Sequence, residues 1–313
     1  SNKIKTIFNE NEKKIVKNIN PYLVEGNNIL IASANKPISN LSPIVFGSTP
    51  NDNGHLILND TEKNDLINKY PKSKKFILQL LGAEEFLKKI PRWCIWLKDK
   101  NEKEYNNISP ILDRIEKVKK YRLNSKRTAT QKTASFPHLF AEIRHPDKDY
   151  ILIPSSTSSR RKYVPIGFQK EDMVSTNLNL IVPNPNIYEF GIISSKMHML
   201  WLKTVGGRLG DGLRYSAKQV YNTFPFPKID DTKKKLIEKA TFSIIDTIEK
   251  YPEKTYYELY DPDKMPYDLL EQHNSLDDEI DKCYQKKNFV SNEERIEILF
   301  KLYEEIINSK KLI

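Results

Sequence analysis

Short apolar or β-branched segments, each flanked by turn residues, recur along the chain up to about residue 228. We predict strands at residues 28–33, 55–58, 92–97, 138–144, 150–154, 163–168, 179–183 and 187–193. These segments do not alternate regularly with helical patterns, which argues against a parallel, doubly wound sheet. The pattern therefore predicts an α+β fold with mixed or antiparallel strands.

Two helices are expected within this first region. Ser109-Pro110 provides a start with a first-turn proline, and Ile111, Ile115 and Val118 then recur at helical spacing. The second helix begins at Ser194 or Ser195 and ends at Gly206-Gly207, with serine at its start and glycine at its end. Its apolar composition predicts that it is buried.

The chain changes character at Phe224-Pro225-Phe226-Pro227, because two prolines in three positions favour an extended segment. Beyond it, apolar residues recur at spacings of three and four over 231–251, 265–287 and 291–307. Ser291 and Glu294 have the spacing of a capping box. We therefore expect a polar linker at 1–20, a first domain at 21–228 and an all-helical C-terminal domain at 229–313.

Composition narrows the class of protein. No apolar run approaches the ~20 residues that a membrane helix needs, and the start of the chain has no apolar stretch of the signal-peptide kind. Cys94 and Cys283 are the only cysteines, and they lie far apart in no ligand-like cluster, so no disulfide framework or metal site is indicated. We expect no membrane partner and a cytoplasmic location.

The positive charge is confined to one segment. Between Arg114 and Lys170 there are 14 Lys/Arg and 4 Asp/Glu, a net charge of +10 that equals the excess of the whole chain. Such a segment suits a surface that neutralises DNA phosphates, although a solvated surface in a lysine-rich protein is the alternative. The basic residues for which we predict phosphate contact are Lys119, Lys120, Arg122, Lys126, Arg127, Arg160, Arg161 and Lys162.

No catalytic constellation is evident. The glycine-rich run 206–212 follows a predicted helix instead of a strand, so it is expected to be a helix stop and a loop, with Arg208 and Arg214 placed to contact phosphate. Asn20-Pro21-Tyr22 is only part of an adenine-methyltransferase motif, and Glu142-Ile143-Arg144 has the wrong order for a magnesium nuclease. The five histidines are scattered, and His198 is expected to be a packed residue of the apolar helix.

Glu142 and Arg144 have a second interpretation. Residues two apart on a strand point to the same side, arginine suits guanine O6/N7, and glutamate accepts a hydrogen bond from cytosine N4. The two side chains are therefore candidates for reading one G·C base pair. A surface ion pair is the alternative, and the position within the basic segment favours base readout.

Several segments, in order, resemble the target recognition domain of MmeI-like (type IIG) restriction-modification enzymes. The strongest is HMLWLKTVGGRL at 198–209, continuing through RYS at 214–216 to VYNTFPFP at 220–227. Others are KPI at 36–38, FGSTP at 46–50, RWCIWL at 92–97, FAEIRHP at 140–146 and YVPIGF at 163–168. The residues after 227 resemble the helical C-terminal region of the same enzymes.

This resemblance implies a sequence-specific recognition region, without catalytic residues, from a DNA methyltransferase that modifies adenine N6. The catalytic domain, which uses S-adenosylmethionine and is joined to a nuclease in that family, is absent from the sequence, and residues 1–20 would be the linker from it. The implied partners are double-stranded DNA and that methyltransferase domain. The alternatives are a self-contained nuclease and a protein-docking specificity module.

Overall fold

The computed structural model describes residues 5–8 and 13–311. The strands are β1 (Lys5–Phe8), β2 (Lys13–Val16), β3 (Val45–Phe46), β4 (Ile57–Leu58), β5 (Ile77–Leu81), β6 (Trp93–Ile95), β7 (Tyr150–Pro154), β8 (Ser156–Ser158), β9 (Gly167–Gln169), β10 (Met173–Ser175), β11 (Asn179–Pro183), β12 (Gly207–Leu209) and β13 (Gly212–Arg214). The helices are α1 (Asp60–Lys69), α2 (Ala83–Lys88), α3 (Ser109–Leu123), α4 (Thr128–Lys132), α5 (Ile187–Ile193), α6 (Lys196–Val205), α7 (Asp231–Glu249), α8 (Tyr256–Leu259), α9 (Tyr267–Tyr284) and α10 (Asn292–Lys311). Mixed strands followed by a helical region from residue 229 confirm the predicted α+β class.

The chain divides into two compact units, and neither is a continuous stretch of sequence. Unit 1 comprises residues 1–44, 155–166 and 185–313, whereas unit 2 comprises residues 45–154 and 167–184. The backbone therefore passes from one unit to the other four times.

Unit 2 contains two four-stranded sheets. In one, β10 pairs in parallel with β5, which pairs antiparallel with β6, and β6 with β4. The other has the order β3-β11-β7-β9 and is antiparallel throughout. Its central strands β7 and β11 are almost entirely apolar and buried, and they pair over five residues each. Helix α3 packs its apolar side, including Ile111 and Val118, into the core built on the first sheet.

Unit 1 combines helices with small sheets. Strands β1 and β2 form an antiparallel pair within the predicted linker, of which residues 1–4 and 9–12 lie outside the described residues. A three-stranded antiparallel sheet has the order β12-β13-β8. The predicted helical segments of the C-terminal region appear as α7, α9 and α10, with the short α8 in addition.

The N-terminus of α10 departs in one detail from the predicted capping box. The Ser291 hydroxyl accepts a hydrogen bond from the Glu294 amide at 3.2 Å, as expected. The Glu294 carboxylate, however, accepts from the Val290 amide at 2.8 Å, one residue before the cap. The cap therefore satisfies two backbone donors, as the motif requires, by a slightly shifted route.

Several predicted strands differ in the structure. Residues 150–154 and 179–183 are strands with the predicted bounds, and 55–58, 92–97 and 163–168 each contain part of one. No strand forms at 28–33, and within 138–144 only Glu142 makes an isolated bridge, to Thr49. The prediction for 187–193 was wrong, because Asn186 caps a helix there and Glu189 completes a capping box.

Candidate nucleic-acid interface

Helix α3 and the residues after it present unpaired cations on unit 2. Ile111 and Val118 face the core, whereas Arg114 donates to two backbone carbonyls and to Glu62. The exposed basic side chains that remain, here called the α3–α4 basic surface, are Lys117, Lys119, Lys120, Lys126, Arg127 and Lys132. None of these six takes part in an ion pair or side-chain hydrogen bond found in the described part of the chain. Their charges are therefore available to an anionic partner.

Arg122 is not part of that surface, and the prediction that it contacts phosphate was wrong. Its side chain is 0% exposed, and all its guanidinium contacts go to backbone carbonyls of unit 2. The sequence contained a signal that we missed. Arg122 follows Val118 by four residues, so it continues the buried stripe of the helix instead of its polar face.

Glu142 and Arg144 lie side by side, as predicted, although not on a regular strand. An Nη2 of Arg144 donates to Oε2 of Glu142, and the two side chains are 36% and 54% exposed. Thr49 Oγ1 is 3.3 Å from the same carboxylate oxygen, and Nη1 of Arg144 donates to the Gly47 carbonyl at 3.2 Å. The two side chains thus form an ion pair that residues 47 and 49 hold in place.

The pair keeps unused hydrogen-bonding capacity. Oε1 of Glu142 has no hydrogen-bond partner among the residues that the structure describes. Arg144 has five N–H donors, of which Glu142 and the Gly47 carbonyl take two. An exposed acceptor and a partly exposed guanidinium fork are therefore presented together, and these groups are chemically suited to the cytosine and the guanine of one base pair.

The backbone around the pair is held by residues 47–49. Thr49 and Glu142 exchange reciprocal backbone hydrogen bonds of 2.9 and 3.1 Å, and the Arg144 amide donates to Ser48 Oγ at 3.0 Å. These bonds hold the backbone around the pair, and the contact between Arg144 and Glu142 shows that the two side chains project to the same side. The two side chains therefore lie together although 142–144 is not a regular strand.

His145 anchors the residue that follows the pair. Its Nε2 donates to the Glu171 carbonyl at 2.6 Å, and its ring contacts Trp96 and Tyr150 edge to face. Burial lowers the pKa of His145 below its ordinary value, so the ring is neutral at pH 7. His145 is thus a packed residue that fixes the chain direction after Arg144.

The basic residues of 155–166 belong to unit 1 and differ in availability. Lys162 is exposed, and Arg160 pairs with Asp263 at 2.6 Å in an exposed ion pair. Arg161 is only 4% exposed, donates to Thr157 Oγ1 at 3.1 Å and lies over the Tyr257 ring. The prediction of phosphate contact was therefore wrong for Arg161 as well.

A buried tyrosine fixes this segment within unit 1. The Tyr163 hydroxyl donates to Asp277 at 2.8 Å, and the Tyr163 ring stacks on His273 with centroids 4.0 Å apart. The Lys196 amide donates to the other carboxylate oxygen of Asp277 at 2.7 Å. Burial is the main cause that raises the pKa of Asp277 to about 6, and the hydrogen bonds and the Lys196 charge oppose it.

The glycine-rich run is a helix stop followed by a β-hairpin. Helix α6 ends at Val205, where the Gly206 amide donates to the Leu202 carbonyl at 2.9 Å. Strands β12 and β13 then pair around Gly210, whose φ of +56° suits glycine in the turn. Arg208 and Arg214 are exposed on this hairpin. Helix α6 begins with Ser195 as its cap, as predicted, but the loop expected after it is a hairpin.

His198 is a packed residue, as expected. It is 0% exposed, it hydrogen-bonds the Tyr215 hydroxyl at 2.7 Å, and burial lowers its pKa to about 3. Across residues 5–8 and 13–311, no group of three or more His, Cys, Asp or Glu side chains is placed to hold a metal ion. In the same residues, no helix is long and apolar enough to cross a membrane.

Comparison with known proteins gives consistent matches over nearly the whole chain. The chain is 40% identical over 305 residues to DNA methyltransferase A of Bacillus subtilis (strain 168), a match that covers 96% of this chain and 34% of that protein. The structure matches that of the type IIL restriction-modification enzyme MmeI in complex with DNA, with a TM-score of 0.90 and 38% identity. That match covers 95% of this chain and 40% of the MmeI chain, so the chain spans well under half the length of both relatives.

Two family models divide the chain between them. The MmeI target recognition domain matches residues 25–228, and the MmeI C-terminal domain matches residues 229–311. Both units of the structure contain residues of the first match, because the unit boundaries do not follow the sequence order. The chain therefore belongs to the MmeI family, of which it carries the target recognition domain and the C-terminal domain.

Proposed function

We propose that this chain is the double-stranded DNA recognition region of a restriction-modification enzyme and that it selects the site at which a methyltransferase acts. Binding uses the α3–α4 basic surface for phosphate contact and the Glu142–Arg144 pair for base readout. The single observation that carries the proposal is that one compact unit holds both the pair and six unpaired cationic side chains. The similarity to a solved enzyme–DNA complex supports it.

Arg160, Lys162, Arg208 and Arg214 are further candidates for phosphate contact, all within unit 1. The Arg160–Asp263 pair does not exclude this role, because both side chains are about two-thirds exposed and such pairs contribute little. A phosphate can therefore replace Asp263 at small cost. The other three side chains are exposed without an ion pair among the described residues.

The parent protein of this proposal is an adenine-N6 methyltransferase that uses S-adenosylmethionine in a separate catalytic domain. The names of the relatives support a methyltransferase activity of the parent protein. The same proposal includes the type IIG class, a fused nuclease and a cytoplasmic location. We further propose that residues 21–228 act as the recognition domain and 229–313 as a helical domain. The catalytic domain would then be this region's partner within one polypeptide.

Fluorescence anisotropy with a salt titration tests phosphate contact. Each phosphate neutralised by a lysine contributes about 0.9 to the slope of log K against log salt concentration. Lys120→Ala and Lys126→Ala should therefore each lower the magnitude of that slope by about 0.9, equally for all DNA sequences. A fourfold rise in salt concentration lowers the affinity of the wild type and of each variant. The factor by which it lowers the affinity should be about 3.5 times smaller for each variant than for the wild type.

The matched control is Lys72→Ala, since Lys72 is an exposed, unpaired lysine of unit 2 outside the basic segment. Its slope should equal that of the wild type. Binding that does not respond to salt, or an equal loss in all three variants, contradicts the proposed surface. Failure of the wild-type chain to bind DNA at low salt contradicts the function itself.

A further inference from the structure

Arg122 occupies an unusual position for a charged side chain. It is completely buried, and none of the ion pairs found in the described residues includes it. Its five N–H groups instead donate to five different backbone carbonyls, those of Asn51 (3.1 Å), Thr133 (3.0 Å), Phe136 (3.2 Å), Pro50 (2.9 Å) and Leu139 (2.8 Å). The whole donor capacity of a guanidinium group is thus used on main chain.

These carbonyls belong to the two segments that flank the Glu142–Arg144 pair. Pro50 and Asn51 directly follow Thr49, the residue that bridges Glu142. The other three carbonyls lie at 133–139, just before Glu142, where the chain forms a short 3₁₀ turn and then irregular backbone. The Ala141 amide closes the arrangement by donating to the Pro50 carbonyl at 3.2 Å. Arg122 therefore joins both segments from below the surface.

Arginine is the only side chain that can make this set of contacts. Lysine has three donors on a single atom and cannot match five acceptors spread around a planar fork, and a neutral side chain of that size has fewer donors still. A buried cation is stable here only because all its N–H groups are satisfied. Since 133–144 contains little regular structure, its conformation depends on this side chain more than on a helix or a sheet.

We propose that Arg122 is a positioning residue for base readout: it presets the backbone of 47–51 and 133–144 so that Glu142 and Arg144 face DNA in the required geometry. This inference rests on the proposed function. It replaces the phosphate contact expected from the sequence with a role exerted entirely through the recognition segments.

The test is Arg122→Lys in the parent protein, which keeps the charge and removes the fork. We expect discrimination at the base pair read by Glu142 and Arg144 to fall at least about fivefold, with the other positions of the site and the salt slope unchanged. The double variant Arg122→Lys with Glu142→Ala should discriminate no worse at that base pair than Glu142→Ala alone, because both changes disable readout by the same pair of side chains. Arg114→Lys is the matched control, since Arg114 also donates to carbonyls from α3 but reaches neither segment, and it should keep full discrimination.

The outcomes separate the two proposals. Full discrimination in Arg122→Lys, or an equal loss at every base pair of the site, overturns the positioning role. If Glu142→Ala and Arg144→Ala leave the site unchanged, base readout by the pair fails instead.

Hydrogen exchange on the wild type decides the matter if the variant does not fold. The Thr49, Ala141 and Glu142 amides should be protected before DNA is added. Protection that appears only with DNA overturns the presetting of these segments.

Discussion

Removing either member of the Glu142–Arg144 pair should relax one base pair of the recognised site. Arg144 has three N–H groups left after its contacts with Glu142 and the Gly47 carbonyl, enough for a bidentate contact to guanine. Oε1 of Glu142 is available to a cytosine amino group at the same time. The pair therefore does not have to separate when DNA binds.

The expected magnitude follows from this geometry. A bidentate arginine contact is worth about 1 to 3 kcal/mol of discrimination, which corresponds to about 5- to 150-fold between the right and the wrong base pair. Separation of the half-exposed ion pair would subtract up to about 1 kcal/mol, but the unused N–H groups and Oε1 make separation unnecessary. Arg144→Ala should therefore lose most of the discrimination between the right and the wrong base pair. Glu142→Gln should lose a smaller part, because the amide oxygen can still accept one hydrogen bond.

Methylation-site sequencing of the parent enzyme measures this directly, by counting modified sites that differ from the wild-type motif at one position. Lys148→Ala is a suitable control, because Lys148 is an exposed, unpaired residue of unit 2 close to the pair in sequence. Its recognised motif should equal that of the wild type. An unchanged motif in both Arg144→Ala and Glu142→Gln would refute base readout by the pair.

Two further predictions concern stability. The pKa of Asp277 is raised by burial from 3.8 to about 6, so folding favours its protonated form, and this contribution is lost as pH rises from about 4 through 6. Relative to Asp277→Asn, which can still bond Tyr163, the wild type should lose about 2–3 kcal/mol, or about 4–12 °C in Tm, between pH 4 and 7, and parallel melting curves would contradict this. Gly47→Ala should destabilise unit 2 by about 1–3 kcal/mol in urea denaturation, because a Cβ there would collide with the Thr176 carbonyl. Gly207→Ala, whose Cβ would lie no closer than 3.6 Å to another residue, should be tolerated, and equal losses in both variants would count against the collision.

Elements with a strong local signal were predictable from the sequence. Strands β7 and β11 are nearly uninterrupted apolar runs between turn residues, and α6 lies between a serine cap and a glycine stop. In such segments the spacing of apolar residues and the residues at the ends indicate the same element, so local and tertiary preferences give the same structure. The same holds for the long helices after residue 229.

Elements that depend on distant partners were not predictable in this way. The run 187–193 is apolar enough for a buried strand, and only the Asn186–Glu189 capping box distinguishes the helix. The sequence of 138–144 resembles a strand, but the Leu139 carbonyl accepts a hydrogen bond from Arg122 of α3 instead of from a neighbouring strand. Both Arg122 and Arg161 belong to basic runs, and counting charges does not tell which members of a run are buried. For Arg122 the spacing of four residues from Val118 carried that information, whereas Arg161 lies outside any helix and had no such signal.

The burial of Arg122 also bears on how such a protein can acquire a new target site. All five partners of its guanidinium group are main-chain carbonyls, which every residue type supplies. Side chains at 133, 136 and 139 can therefore be exchanged without removing a single one of these contacts. A scaffold that is anchored through its backbone leaves its outward side chains free to diverge, so base preference can evolve while the loop geometry is inherited unchanged.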